Sequence, residues 1–173
     1  LRERLATMRY ADAVFLVDVS EAKRRWLIEH LQPLRLFTVR RQVGEAVVGR
    51  PHLRTSRTLT SGTAVMAVAG IARPERFFED VRASGLNLVC ARVVPDHYPY
   101  TRRAALRFQA EARAVRAEAI VTTEKDFVRL ESWQPFNPPL ATMQMNFVVD
   151  SEDDLRSFLS DRIAAERSNA EWR

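Results

Sequence analysis

Residues 63–94 read TAVMAVAGIARPERFFEDVRASGLNLVCARVV, and the order of these segments decides the fold. TAVMAVAGIA is an apolar run of strand length. PERFFEDVRASG reads as a helix, with Pro74 in its first turn and Gly85 as its C-cap. NLVCARVV is a second apolar run, read as a buried strand. Strands that are apolar along their length are buried on both faces, and a helix between two of them joins parallel neighbours. The stretch therefore predicts an α/β fold.

The alternation continues outward. TRRAALRFQAEARAVRA (101–117) reads as a long helix, and AEAIVTTEKD (117–126) as a strand ending in a polar turn. MQMNFVVD (143–150) is another strand, and SEDDLRSFLSDRIAAE (151–166) the last helix, with Ser151 and Asp154 spaced as a capping box. Toward the N-terminus, residues 1–11 read as a short amphipathic helix and DAVFLVDV (12–19) as a strand. SEAKRRWLIEHLQP (20–33) reads as a helix capped by Ser20 and ended by Pro33, and RLFTVRRQV (35–43) as a strand. From Gly44 to Gly62 the pattern breaks into short polar pieces, the expected linker or β-hairpin. The predicted organisation is a short α/β piece over 1–43, the linker over 44–62, and a Rossmann-like lobe over 63–173. That lobe is expected to hold a mostly parallel sheet with helices on both faces.

With 46% hydrophobic and 28% charged residues, the 173-residue chain has the composition of a globular protein rather than a disordered one. Its net charge of +5 comes from arginine, since Lys23 and Lys125 are the only lysines. Guanidinium binds phosphate bidentately, so such a surface suits phosphate or an anionic membrane face. Nucleic acid is not the expected partner, because no basic cluster is interleaved with aromatics. The single cysteine, Cys90, excludes an internal disulfide and a multi-cysteine zinc site, and is expected to be a small buried hydrophobe. No run approaches the ~20 apolar residues of a membrane-spanning helix, and no signal peptide is expected. The chain opens on Leu1 in a helix already under way, so its beginning is expected to lie upstream.

In open α/β sheets, ligands bind beyond the carboxyl ends of the strands, and three strands here end in polar turns. GIARPERFF (70–78) offers Gly70 and Arg73 ahead of a helix whose first backbone N–H groups suit an anion. VVPDHYPYT (93–101) places Asp96 beside His97 between two prolines. An imidazole with a neighbouring carboxylate can shuttle a proton, but successive extended residues point to opposite sides, and Asp96 can equally cap a local turn. His30 and His52 lie in unrelated segments, so no metal site is expected. TTEKD supplies Thr123, Glu124, Lys125 and Asp126, either for polar groups of a ligand or as a turn in which Lys125 pairs with Glu124 or Asp126.

In this order, AVAGIARPERFFEDVRASG, VVPDHYPYT and AIVTTEKDFVRL together resemble the C-terminal half of the tetraacyldisaccharide 4'-kinase family, which acts in lipid A synthesis in Gram-negative bacteria. The opening LRE resembles the tail of the family's GPLRE motif. The resemblance implies a P-loop kinase that transfers the γ-phosphoryl of ATP, with Mg²⁺, to the 4'-hydroxyl of a lipid A disaccharide 1-phosphate precursor. It places that kinase peripherally at the cytoplasmic face of the inner membrane, and this chain by itself as soluble. It implies that His97 assists a catalytic aspartate, that Asp96 is its motif neighbour, and that Arg2 and Glu3 lie near the phosphates.

Tyr98 stands where the family often has a second histidine. The 173 residues contain neither G-x-x-x-x-G-K-[ST] nor DDG-x-Q, the motifs that carry the phosphate cradle and the catalytic aspartate. Residues 1–43 are then read as a remnant of the P-loop lobe, and the chain alone as inactive. PDHYPYT becomes half of an active site facing a missing N-terminal lobe, with His97 reaching across the cleft rather than pairing with Asp96. Two rivals are a stand-alone module binding a nucleotide or phospholipid headgroup, and an aspartate–histidine phosphoesterase, which lacks further ligands.

Overall fold

The computed structural model describes residues 5–30, 34–49 and 57–170. It is an α/β protein with a mixed, mostly parallel set of strands and five α-helices among the described residues. The chain divides into two compact units, 1–42 with 146–173, and 43–145. Strands β2 (Arg35–Val48) and β7 (Leu140–Val149) each run from one unit into the other.

In the first unit, β1 (Ala13–Val17) pairs in parallel with the start of β2. Helix α1 (Glu21–His30) begins after Ser20, whose Oγ accepts a 3.4 Å bond from Lys23 N, the expected cap. Phe37 is buried, stacked on Phe15 at 5.6 Å and packed against Phe158 of α5 (Glu152–Ala170). Arg40 pairs with Asp150 and Arg162 with Asp12, so α5 belongs with the N-terminal strands rather than with residues 63–145. The expected helix over 1–11 is a 3-10 segment, Leu5–Tyr10, with residues 1–4 outside the described residues.

The second unit carries the stretch first quoted. Strands β4 (Ala64–Ala69), β5 (Asn87–Val93), β6 (Ala119–Thr123) and β7 are parallel, in the order β7-β6-β4-β5. Alternate residues of β4 feed two cores. Met66 and Val68 pack with Phe108 and Ala112 of α3 (Arg102–Ala114) and with Phe127 and Leu130 of α4 (Glu124–Leu130). Val65, Ala67 and Ala69 pack with Phe77, Phe78 and Val81 of α2 (Pro74–Ala83). Helices therefore cover both faces, and every β4 residue from Val65 on is at most 0% exposed.

Two expectations fail for physical reasons. Gly44 does not end β2, because Val43, Ala46 and Val48 pack on the α2-side core and Val47 is itself buried, so β-branched packing carries the strand past the glycine. β2 then pairs antiparallel with β3 (Arg57–Thr58), Val47 opposite Thr58, in the region read as a hairpin. NLVCARVV is not a buried strand. It is β5, at the end of the order and paired with β4 alone among the described residues, leaving Val93 54% exposed and Cys90 only partly buried. No helix among the described residues is long and apolar enough to cross a membrane.

Candidate functional site

Because β4, β5 and β6 run parallel, their carboxyl ends share one edge, and the three turns read from the sequence meet there. TTEKD is not a polar turn. Thr123 accepts Asp126 N on its Oγ1 at 3.2 Å, an N-cap that starts α4 directly from β6. The cap is reciprocal, since Thr123 Oγ1 donates to Asp126 Oδ2 at 2.9 Å.

Asp126 is the centre of a buried inner layer. Its side chain is fully buried, and Oδ2 also accepts Gly70 N at 2.8 Å, tying the end of β4 to the start of α4. A Cβ on Gly70 would lie 2.8 Å from the Tyr100 hydroxyl, 3.0 Å from Val94 Cγ2 and 3.2 Å from Asp126 Oδ1, so the position admits only glycine without rearrangement. Tyr100 brings the third turn inward. Its carbonyl accepts Trp133 Nε1 at 2.6 Å, Arg129 lies over its ring at 5.4 Å, and Tyr98 meets it edge-on at 5.3 Å. The Tyr100 hydroxyl and Asp126 Oδ1 are buried without a hydrogen-bond partner among the described residues. Burial, then the nearby Asp126 charge, pushes the Tyr100 phenol far above its ordinary value.

The outer layer is Asp96, His97 and Lys125. Pro95 O accepts Tyr98 N at 3.0 Å, closing a turn whose third residue, His97, has φ +60. That backbone region favours glycine, so an exposed histidine held there marks a functional candidate. Asp96 Oδ1 accepts both His97 N at 3.0 Å and Lys125 Nζ at 2.6 Å. Its Oδ2 lies 3.7 Å from His97 Nε2, so Asp96 flanks the imidazole instead of pointing away from it, because the left-handed turn folds the two side chains together. Lys125 pairs with neither Glu124 nor Asp126, as the helical start sends it outward to Asp96 while Asp126 turns in. The Lys125 hydrogen bond, followed by backbone His97, holds the Asp96 carboxyl below its usual value.

Gly70, Asp96, His97, Thr123, Lys125 and Asp126 thus share one edge. Arg73 and Glu124 sit nearby in sequence, exposed, Arg73 preceding α2 without capping it through its side chain. Arg2, Glu3 and His52 lie outside the described residues, and His30 bonds Trp26 O within α1. Tyr100 and Trp133 were not legible as site residues, although the aromatic pair flanking Pro99 was the available signal.

A family model for LpxK, tetraacyldisaccharide-1-P 4'-kinase, matches residues 1–164. A tetraacyldisaccharide 4'-kinase of Nitrobacter hamburgensis is 40% identical over 111 residues, covering 61% of this chain and 32% of that protein. One of Gluconacetobacter diazotrophicus is 32% identical over 177 residues, covering 99% of this chain and 45% of that protein. The chain thus spans under half the length of these relatives. The crystal structure of an "apo" form LpxK from Aquifex aeolicus in complex with ATP aligns with a TM-score of 0.55 at 18% identity, over 93% of this chain and 45% of that one. At that identity the likeness is one of fold.

Proposed function

The chain belongs to the tetraacyldisaccharide-1-P 4'-kinase family, and from that membership we propose that it is the C-terminal portion of an ATP-dependent lipid A 4'-kinase. In this reading residues 1–43 continue a P-loop lobe, the second unit supplies the Rossmann-like sheet, and the acceptor is the 4'-hydroxyl of a lipid A disaccharide 1-phosphate. The enzyme works at the cytoplasmic face of the inner membrane, with Arg2 and Glu3 near the phosphates. The observation that carries the reading is the meeting of the GIA, PDHY and TEKD turns at one strand edge, with His97 aimed outward and 83% exposed.

The described residues do not fit Mg²⁺ or ATP on their own. No group of three His, Cys, Asp or Glu among them could hold a metal, and the sequence has no P-loop to cradle phosphates. The ATP phosphates and Mg²⁺ must then be seated by residues outside these 173, and the chain alone is inactive. What this chain contributes is an exposed imidazole at the shared strand edge. Such a group can hydrogen-bond a carboxylate opposite it and tune that group's basicity toward the acceptor hydroxyl.

The test joins this chain to the P-loop portion found in its relatives and assays ATP-dependent phosphorylation of a tetraacyldisaccharide 1-phosphate. Turnover is expected, and His97→Ala should lower kcat by about 10²–10⁴-fold. A wild-type rate in that variant removes His97 from the mechanism. Micromolar ATP binding by the 173-residue chain in calorimetry would favour a stand-alone nucleotide-binding module.

A further inference from the structure

Lys125 makes the shortest contact of the outer layer, 2.6 Å to Asp96 Oδ1, and is one of only two lysines in an arginine-rich chain. Its origin is rigid. It stands in the first turn of α4, whose register is fixed by the Thr123–Asp126 cap and by Asp126 holding Gly70 N. Its target belongs to a strained element, since His97 at φ +60 needs restraint from outside its own backbone. Asp96 Oδ1 supplies that restraint by accepting His97 N, and the same oxygen is the one that Lys125 grips.

We propose that Lys125 is a positioning residue for His97: by holding Asp96 it fixes the left-handed turn and keeps the imidazole facing outward. His97 Nε2 lies 3.7 Å from Asp96 Oδ2, beyond a hydrogen bond, so the ring is not engaged by the carboxylate beside it. The imidazole thus remains available to a carboxylate on the opposite side of the cleft. The depressed Asp96 carboxyl agrees with this, because Lys125 is its largest cause. The effect of Lys125 on turnover rests on the kinase reading, whereas the clasp itself does not.

Lys125→Met removes the cation and keeps most of the stem, and Lys125→Arg keeps a cation. Both partners are nearly half exposed, so the pair adds little to stability and both variants fold. By NMR on the 173-residue chain, Lys125→Met should raise the Asp96 carboxyl titration toward its ordinary value and speed exchange of the His97 amide. Lys125→Arg should preserve both signals. In the joined kinase, Lys125→Met should lower kcat by about 10- to 100-fold, with KM for ATP within about twofold, and Lys125→Arg should recover much of it. If Lys125→Met leaves the Asp96 titration and the His97 amide unchanged, the clasp is refuted. If His97→Ala abolishes turnover but Lys125→Met does not change it, the positioning role is refuted. If the NMR signals move while neither variant affects turnover, the clasp is supported and the catalytic assignment of His97 falls instead.

Discussion

Gly70→Ala is the sharpest perturbation of the inner layer. The added methyl would sit 2.8 Å from the Tyr100 hydroxyl, 3.0 Å from Val94 Cγ2 and 3.2 Å from Asp126 Oδ1. None of these neighbours can retreat freely. Tyr100 is pinned by Trp133 through its carbonyl, Val94 is 4% exposed, and Asp126 is held by Gly70 N and Thr123. Overpacking of this kind costs about 1–3 kcal/mol. Pushing the carboxylate away also weakens the bond from Gly70 N, a charge-assisted contact of about 1.5–3 kcal/mol when lost outright. Against this, alanine lowers the entropy of the unfolded chain by about 0.4–1 kcal/mol. The net loss is then about 2–4 kcal/mol.

Urea denaturation followed by tryptophan fluorescence suits the test, because Trp133 bonds Tyr100 O beside the substitution. With an m-value of about 1–3 kcal/mol/M, the midpoint should fall by roughly 1–2 M. An unchanged midpoint, or a rise, would mean that Gly70 is not space-limited and that the three turns are not locked together through Asp126.

Other outcomes follow from the same geometry. Thr123→Ala should destabilise by about 1–2 kcal/mol, because it removes the α4 cap and a hydroxyl bond to Asp126, and Thr123→Ser should restore most of that in urea melts. The Tyr100 phenol is raised in the folded state, so its contribution is complete below the unfolded value near 10 and is lost as pH rises above it. Stability measured from pH 8 to 11.5 should therefore fall by up to about 1.4 kcal/mol per pH unit at the alkaline end, a slope that Tyr100→Phe removes. His97→Gly should stabilise the chain by about 0.5–1 kcal/mol by relieving the left-handed residue, while abolishing turnover in the joined kinase.

What the sequence made legible was whatever local pattern controls. Continuous apolar runs marked β4 and β6, and Ser20 marked the start of the helix that follows it, whereas the Thr101 cap of α3 emerged only in the structure. Burial is set by neighbours in the sheet rather than by the run itself. NLVCARVV is largely apolar but carries Asn87 and Arg92, which TAVMAVAGIA does not match, and it lies at an edge, a place that depends on contacts distant in sequence. Gly44 shows the converse, where packing of Val43, Ala46 and Val48 overrides a local break. The site residues were legible as types at strand ends, because parallel strands bring successive C-terminal turns to one edge. Their pairing was not, since it turns on a φ of +60 at a histidine, a state that sequence preference argues against.

TTEKD serves two layers because it starts a helix instead of forming a turn. As a turn, its charges would satisfy one another. As the cap and first turn of a helix, Thr123 and Asp126 stand three residues apart on one side, where they close the cap and reach Gly70. Lys125, one residue earlier than Asp126, leaves the helix about 100° around it and meets Asp96 instead. The inward pair sets where α4 begins, and that start sets where the ammonium is delivered. A one-residue slip of the helix would bury the lysine or expose the aspartate, so the cap chemistry of Thr123 and the presentation of His97 are one constraint. Thr123→Ala should accordingly loosen the Lys125–Asp96 clasp as well as α4, and the His97 amide should exchange faster in that variant even where the chain stays folded.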